Sequence, residues 1–221
     1  MNKHLFFLIL FACFSIICNS QINQFDSEGR RNGPWKVNFE GTSKPKFEGT
    51  FDHGKEIGTF KFYKKGFYDH PSAIMNFENG KDSVHVTYYT QKGKEISEGK
   101  MIDKKREGKW IYYHQESDSI MMLEEYKNDK LHGSQKTYYP NGQIAENTEY
   151  SIGEKHGKSL IYANNGQITK DLSYMEGQLH GPAIYYNVNG EKIMEGGYSN
   201  GSKSGTWKYY EQGKLKNEED Y

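Results

Sequence analysis

Past residue 20 the chain alternates short runs of apolar and polar residues, broken at regular intervals by glycine. Nowhere does an apolar period of 3.6 residues persist over three helical turns, so the pattern predicts strands joined by tight turns. Aligned on one glycine, it recurs as Gly33-Pro34-Trp35, Gly58-Thr59-Phe60, Gly108-Lys109-Trp110, Gly133-Ser134-Gln135, Gly157-Lys158-Ser159, Gly181-Pro182-Ala183 and Gly205-Thr206-Trp207, with Val84 in the same slot once. The eight anchors lie 25, 26, 24, 25, 24, 24 and 24 residues apart. Five residues past the anchor stands a tyrosine in seven copies, Tyr63, Tyr89, Tyr113, Tyr138, Tyr162, Tyr186 and Tyr210; Asn38 fills the first.

Nine residues past the anchor comes a turn glycine, in Pro140-Asn141-Gly142, Asn164-Asn165-Gly166 and Val188-Asn189-Gly190. Asn-Gly is a strong hairpin signal and points to a type I′ turn, because both residues tolerate positive φ. A second strand then runs into an aromatic residue and another glycine turn, as in Phe51 to Gly54, Phe77 to Gly80, Tyr150 to Gly153, Tyr174 to Gly177 and Tyr198 to Gly201. Each copy is therefore strand, turn, strand. A lone hairpin is marginal in water, so each unit must bury its aromatics against the next. The expected fold is all-β: an elongated single antiparallel sheet of about eight tandem β-hairpins. About sixteen strands at roughly 4.8 Å give a ribbon about 75 Å long. Phe25 stands where the closing strand of a preceding copy would lie, and Tyr221 closes the eighth.

Tyr150-Ser151-Ile152-Gly153-Glu154-Lys155-His156-Gly157 and Tyr174-Met175-Glu176-Gly177-Gln178-Leu179-His180-Gly181 resemble the MORN motif: tyrosine, two residues, glycine, three residues, glycine. The usual second glycine just after the anchor is replaced by Trp35, Phe60, Trp110 or Trp207, a departure similar to the bacterial variant subfamily. The resemblance covers roughly residues 25–221. It implies a ribbon of hairpins that acts as a scaffold. It also raises two alternatives: association with membrane lipid, and the antitoxin-like role, neutralising a partner toxin, attached to bacterial MORN-variant proteins.

Composition supports the strand reading and narrows the function. The chain has 18 Tyr and 24 Gly among 221 residues, so aromatics must supply much of the buried surface while glycine serves the turns. Lys plus Arg and Asp plus Glu both number 29, which offers no long-range attraction to nucleic acid and little to anionic lipid. Lys3 and His4 precede an apolar run from Leu5 to Ile17, and Cys18 and Ser20 place small residues suitably for a cut before Gln21. Residues 1–20 thus read as a signal peptide, and 21–221 as the repeat domain. The rival reading is a lipoprotein signal, opposed by the bulky Ile17 before Cys18. Cys13 and Cys18 both fall in this segment, so the mature chain holds no disulfide or zinc–thiolate site. The expected location is exported: periplasmic, cell-envelope or secreted.

Candidate chemistry is sparse. His132, His156 and His180 precede successive anchors, but units two strands apart sit about 9.5 Å from each other, too far to share a zinc whose nitrogens lie about 2.1 Å away. They are read as turn packing. His114 with Glu116 and Asp118 reads as a polar loop, Ser43 with Lys46 as a chance Ser-x-x-Lys match, and the basic stretches at 61–65 and 100–106 as solvated charge. No glycine cluster precedes a helix to cradle phosphate. The expectation is a non-enzymatic module without cofactor or metal, binding a protein, peptide or glycan. Its candidate surface is Tyr89, Tyr113, Tyr138, Tyr162, Tyr186 and Tyr210. In Tyr88-Tyr89, Tyr112-Tyr113, Tyr138-Tyr139, Tyr185-Tyr186 and Tyr209-Tyr210, adjacent strand residues point to opposite faces, so one of each pair leaves the core face.

Overall fold

The computed structural model describes residues 21–221 apart from Tyr68 and Asn79; the expected signal segment 1–20 lies outside the described residues. Among the described residues eighteen strands form one antiparallel sheet in chain order, not closed into a barrel. A two-residue strand, β1 (Gln24–Phe25), pairs with β2 (Arg31–Asn38), so Phe25 does occupy the place of a preceding copy. The hairpins then follow as β2 with β3 (Pro45–Asp52), β4 (Lys55–Phe62) with β5 (Ala73–Phe77), β6 (Ser83–Tyr89) with β7 (Glu95–Ile102), and β8 (Lys105–Tyr113) with β9 (Ile120–Lys127). In the fifth hairpin β10 (Lys130–Leu131) and β11 (Gly133–Tyr138) both pair with β9 and are one strand broken at His132; its return strand is β12 (Ile144–Ser151). The last three are β13 (Glu154–Tyr162) with β14 (Ile168–Met175), β15 (Gln178–Tyr186) with β16 (Lys192–Ser199), and β17 (Ser202–Glu211) with β18 (Lys214–Asp220). No described helix is long and apolar enough to cross a membrane.

The turn chemistry differs from expectation. At the Asn-Gly sites only Gly142, Gly166 and Gly190 take positive φ, each at +84°. Gly142 N–H donates to the Tyr139 carbonyl and Tyr139 N–H to the Gln143 carbonyl. That is a three-residue loop, a type I turn closed by a glycine bulge, rather than type I′. The type I′ geometry, with positive φ at both central residues, occurs instead at His53-Gly54, Asp103-Lys104, Asn128-Asp129, Ile152-Gly153, Glu176-Gly177 and Asn200-Gly201, which join one hairpin to the next, and at Gln212-Gly213 inside the last hairpin. Two residues span those gaps, and the I′ twist matches such a short connection.

All seven anchor glycines have positive φ, from +65° at Gly58 to +99° at Gly133. The six after Gly33 each sit at a bulge where their strand carries two residues more than the preceding one. Thr148 pairs with Ser159 but Tyr150 with Lys155, for example, and Leu172 with Ala183 but Tyr174 with Leu179. If every slot required positive φ, Val84 would force a distortion in the third copy. The opposite holds: Val84 has ordinary φ, and β5 to β6 run in unbroken register from Ala73–Tyr88 to Phe77–Val84. A β-branched residue excludes the bulge, so that copy is the regular one.

Two residues past the anchor begins the buried column of one face. Trp35, Phe60, Val86, Trp110, Ser159, Ala183 and Trp207 are all buried there. Gly49, Gly99 and Gly196 provide the space: a Cβ on them would strike the rings of Phe60, Trp110 and Trp207 respectively. Three apolar clusters result, around Trp35 and Phe60, around Val86 and Trp110, and around Leu172 and Trp207. Between the second and third the column turns polar.

Candidate binding face

Strand alternation splits the tyrosine pairs as the sequence implies. Tyr88 stacks on Trp110, Tyr112 joins the same cluster, and Tyr185 and Tyr209 pack against the cluster of Trp207. Their neighbours face the other way. Tyr113 donates to Glu98 at 2.5 Å, Tyr210 to Glu195 at 2.5 Å, and Tyr63 to Glu48 at 3.0 Å. Tyr89, Tyr138, Tyr162 and Tyr186 are half-buried in the same column. The column is thus partly tied to the protein's own carboxylates rather than being a bare aromatic platform. Tyr113 then His85 donate to Glu98 and hold its carboxyl below the usual glutamate range against the pull of desolvation.

These bonds have a consequence in base. The hydrogen bond to Glu98, then burial, pushes Tyr113 up to about 12, and burial, then Glu48, does the same for Tyr63. A folded pKa above the unfolded value of about 10 means stability is complete below pH 10 and falls as pH rises toward 12. Tyrosinate absorbance should therefore lag on titration and rise together with loss of the sheet signal. Titration of all 18 tyrosines as one class near pH 10 would contradict the arrangement.

The polar stretch of the core column is a connected network. Gln135 Nε2 donates to Glu124 at 2.7 Å, Tyr126 donates to the other Glu124 oxygen, and Tyr150 donates to Gln135. Arg106 donates to the Tyr126 hydroxyl and to Asp129, which ties the buried carboxylate to a cation through one phenol. Burial and the bond to Glu124 raise Tyr126 well above an ordinary tyrosine. Thr148 donates to Glu146 and accepts from Ser159. Satisfied on all sides, this network serves register and leaves no group aimed at a ligand.

The histidines do not converge. His132 and His156 are exposed, and His180 is half-buried. His114 lies against the Tyr138 carbonyl, and Asp118 pairs with Lys94. Among the described residues no three of His, Cys, Asp and Glu gather as metal ligands.

An apolar depression lies on the core face of the second and third copies. It is a groove of about 480 Å³ floored by Phe62, Met75, Phe77, Val84 and Met101, all half-buried. Glu56, Asp82, Asp103 and Lys104 form an exposed rim. Here Met101 replaces the aromatic that faces the anchor in other copies, and the regular strand at Val84 lacks the bulge. In the sequence Val84 and Phe77 stand out only as repeat positions, and Phe62, Met75 and Met101 not at all. The replacements at 84 and 101, both in the third copy, are the signal that could have found them.

No family model matches the chain, and no curated protein matches it. Among solved structures it is similar to the crystal structure of TarM, at 14% identity, covering 62% of this chain and 19% of that one, with a TM-score of 0.20. A mutant of S. aureus TarM in complex with fondaparinux, α-GlcNAc-glycerol and UDP gives 14% identity, 72% and 21% coverage and a TM-score of 0.18. The chain spans about a fifth of the length of those proteins, and a likeness at that level carries no argument.

Proposed function

We propose that this protein is an exported, non-enzymatic ribbon of the MORN-variant kind that holds a protein or peptide partner against its core face. The observation that supports this reading is the groove over Phe62, Met75, Phe77 and Met101, an apolar hollow on a sheet that no second layer covers among the described residues. Recognition sites combine such a floor with a few polar groups at the rim. Repeat ribbons contribute surface rather than chemistry.

A photo-crosslinking residue in place of Met101, in protein expressed in its own cell envelope, tests this. The expected product is a discrete crosslinked protein identified by mass spectrometry, absent when the same group replaces exposed Ile152. Crosslinks only to lipid, or equal products from both positions, would overturn it in favour of a membrane-associated ribbon or a nonspecific surface.

A further inference from the structure

The residue two before each anchor reads Arg31, Glu56, Asp82, Arg106, Leu131, Lys155, Leu179 and Lys203 along the eight copies. Four of these are cations, and each lies over an aromatic ring. Arg31 is 4.8 Å from the Trp35 centroid and 5.2 Å from Phe51, and Arg106 is 3.8 Å from Tyr126. Lys155 is 5.2 Å from Tyr174, and Lys203 is 4.5 Å from Trp207 and 4.6 Å from Tyr221. The two leucines pack into the neighbouring apolar clusters. Only Glu56 and Asp82 put a carboxylate in this slot, in consecutive copies, and those are the copies that carry the groove.

In the second copy the ribbon has the aromatic rings of Phe62 and Phe77 without the cation that covers such rings elsewhere, and in the third Met101 takes the place of the ring. Among the described residues no cation lies over the ring of Phe77 or Phe62, and carboxylates occupy the slot where a guanidinium or ammonium stands in the first, fourth, sixth and eighth copies, with Lys104 beside them on the rim. Among the described residues none of Glu56, Asp82 and Asp103 has an ion-pair partner. A cation over a ring is attracted by its π face, and carboxylates at the rim add a second attraction for the same group. Resting on the binding-ribbon reading, we infer that the groove takes an arginine or lysine side chain of a basic, partly apolar peptide segment. The partner's cation fills the position that Arg31, Arg106, Lys155 and Lys203 fill internally, and its flanking apolar side chains lie on Met75 and Met101.

The test uses an acetylated, amidated pentapeptide alternating arginine and leucine, with an otherwise identical glutamate–leucine peptide as control. Methionine methyl signals of the folded protein are followed by NMR. The arginine peptide should shift Met75 and Met101 saturably, and the glutamate peptide should not. Glu56→Arg with Asp82→Arg supplies the cation from within, as four other copies do, and should weaken binding at least tenfold while the thermal midpoint holds or rises. Glu56→Gln with Asp82→Asn, which removes charge without filling the slot, should weaken it less. Unchanged affinity in the arginine variant, equal binding of the glutamate peptide, or no shift at Met75 and Met101 would overturn the inference. Shifts confined to Met121, Met122, Met175 or Met194 would sink this site yet leave the ribbon a binding module, whose own failure is read from crosslinking at 101.

Discussion

Replacing Trp207 by alanine is expected to destabilise the C-terminal end of the ribbon by about 3–5 kcal/mol, the range for removing a buried large aromatic. Trp207 has 0% exposure. Rings of Tyr198, Tyr185 and Tyr221 surround it at 5.0, 6.3 and 6.4 Å, and Lys203 lies over its face. Its Nε1 donates to the Gly197 carbonyl at 2.9 Å, so truncation also strips a partner from that carbonyl. The strand opposite cannot fill the hole, because Gly196 has no side chain to move into it. Contacts in a linear array run only to neighbours, so the loss should be local. Amide exchange should accelerate across β15 to β18 and stay unchanged across β2 to β5. Trp207→Phe, which keeps most of the ring, should lose less. A cost under about 1 kcal/mol, or uniform loss of protection, would show that the column is not the structural spine.

Gly157→Val and Val84→Gly should both destabilise, for opposite reasons. Gly157 has φ of +93°, and a β-branched residue there costs about 1–3 kcal/mol in backbone strain. A Cβ would also meet Glu149 Oε2, the far end of a flexible side chain that can swing aside at the cost of its long bond from Lys158 N–H, so the backbone supplies most of the penalty. Gly157→Asn, which tolerates positive φ, should cost much less. Val84 stands in a regular ladder between Phe77 and Met101 and packs on the Val86–Trp110 cluster. Its replacement by glycine removes that packing and loosens the strand, by about 1 kcal/mol or somewhat more. Denaturant titration of the three variants decides this. An unchanged midpoint for Gly157→Val would mean that the anchor bulge is not a strained position, and a stabilised Val84→Gly would mean that the third copy prefers the bulge it lacks.

The repeat, its eight copies, their hairpin order and the split of each tyrosine pair between two faces are all written locally. They depend on a glycine every 24 to 26 residues and on the two-residue alternation of a strand, both of which a single sequence displays. The turn types were not legible, because Asn-Gly suits both a type I′ turn and a glycine-closed bulge, and loop length measured between hydrogen-bonded residues decides between them. The groove was hidden for a related reason. Arg31 reaches Phe51 and Arg106 reaches Tyr126 across twenty residues of sequence, and Glu56 and Asp82 become conspicuous only once the slot is known to hold a cation over a ring in other copies. That neighbourhood is set by the bulge at each anchor, which shifts the pairing by two residues and so decides what faces what while preserving the face. Alternation fixed the side of the sheet for every residue; cross-strand register, which only the assembled sheet determines, fixed its partner.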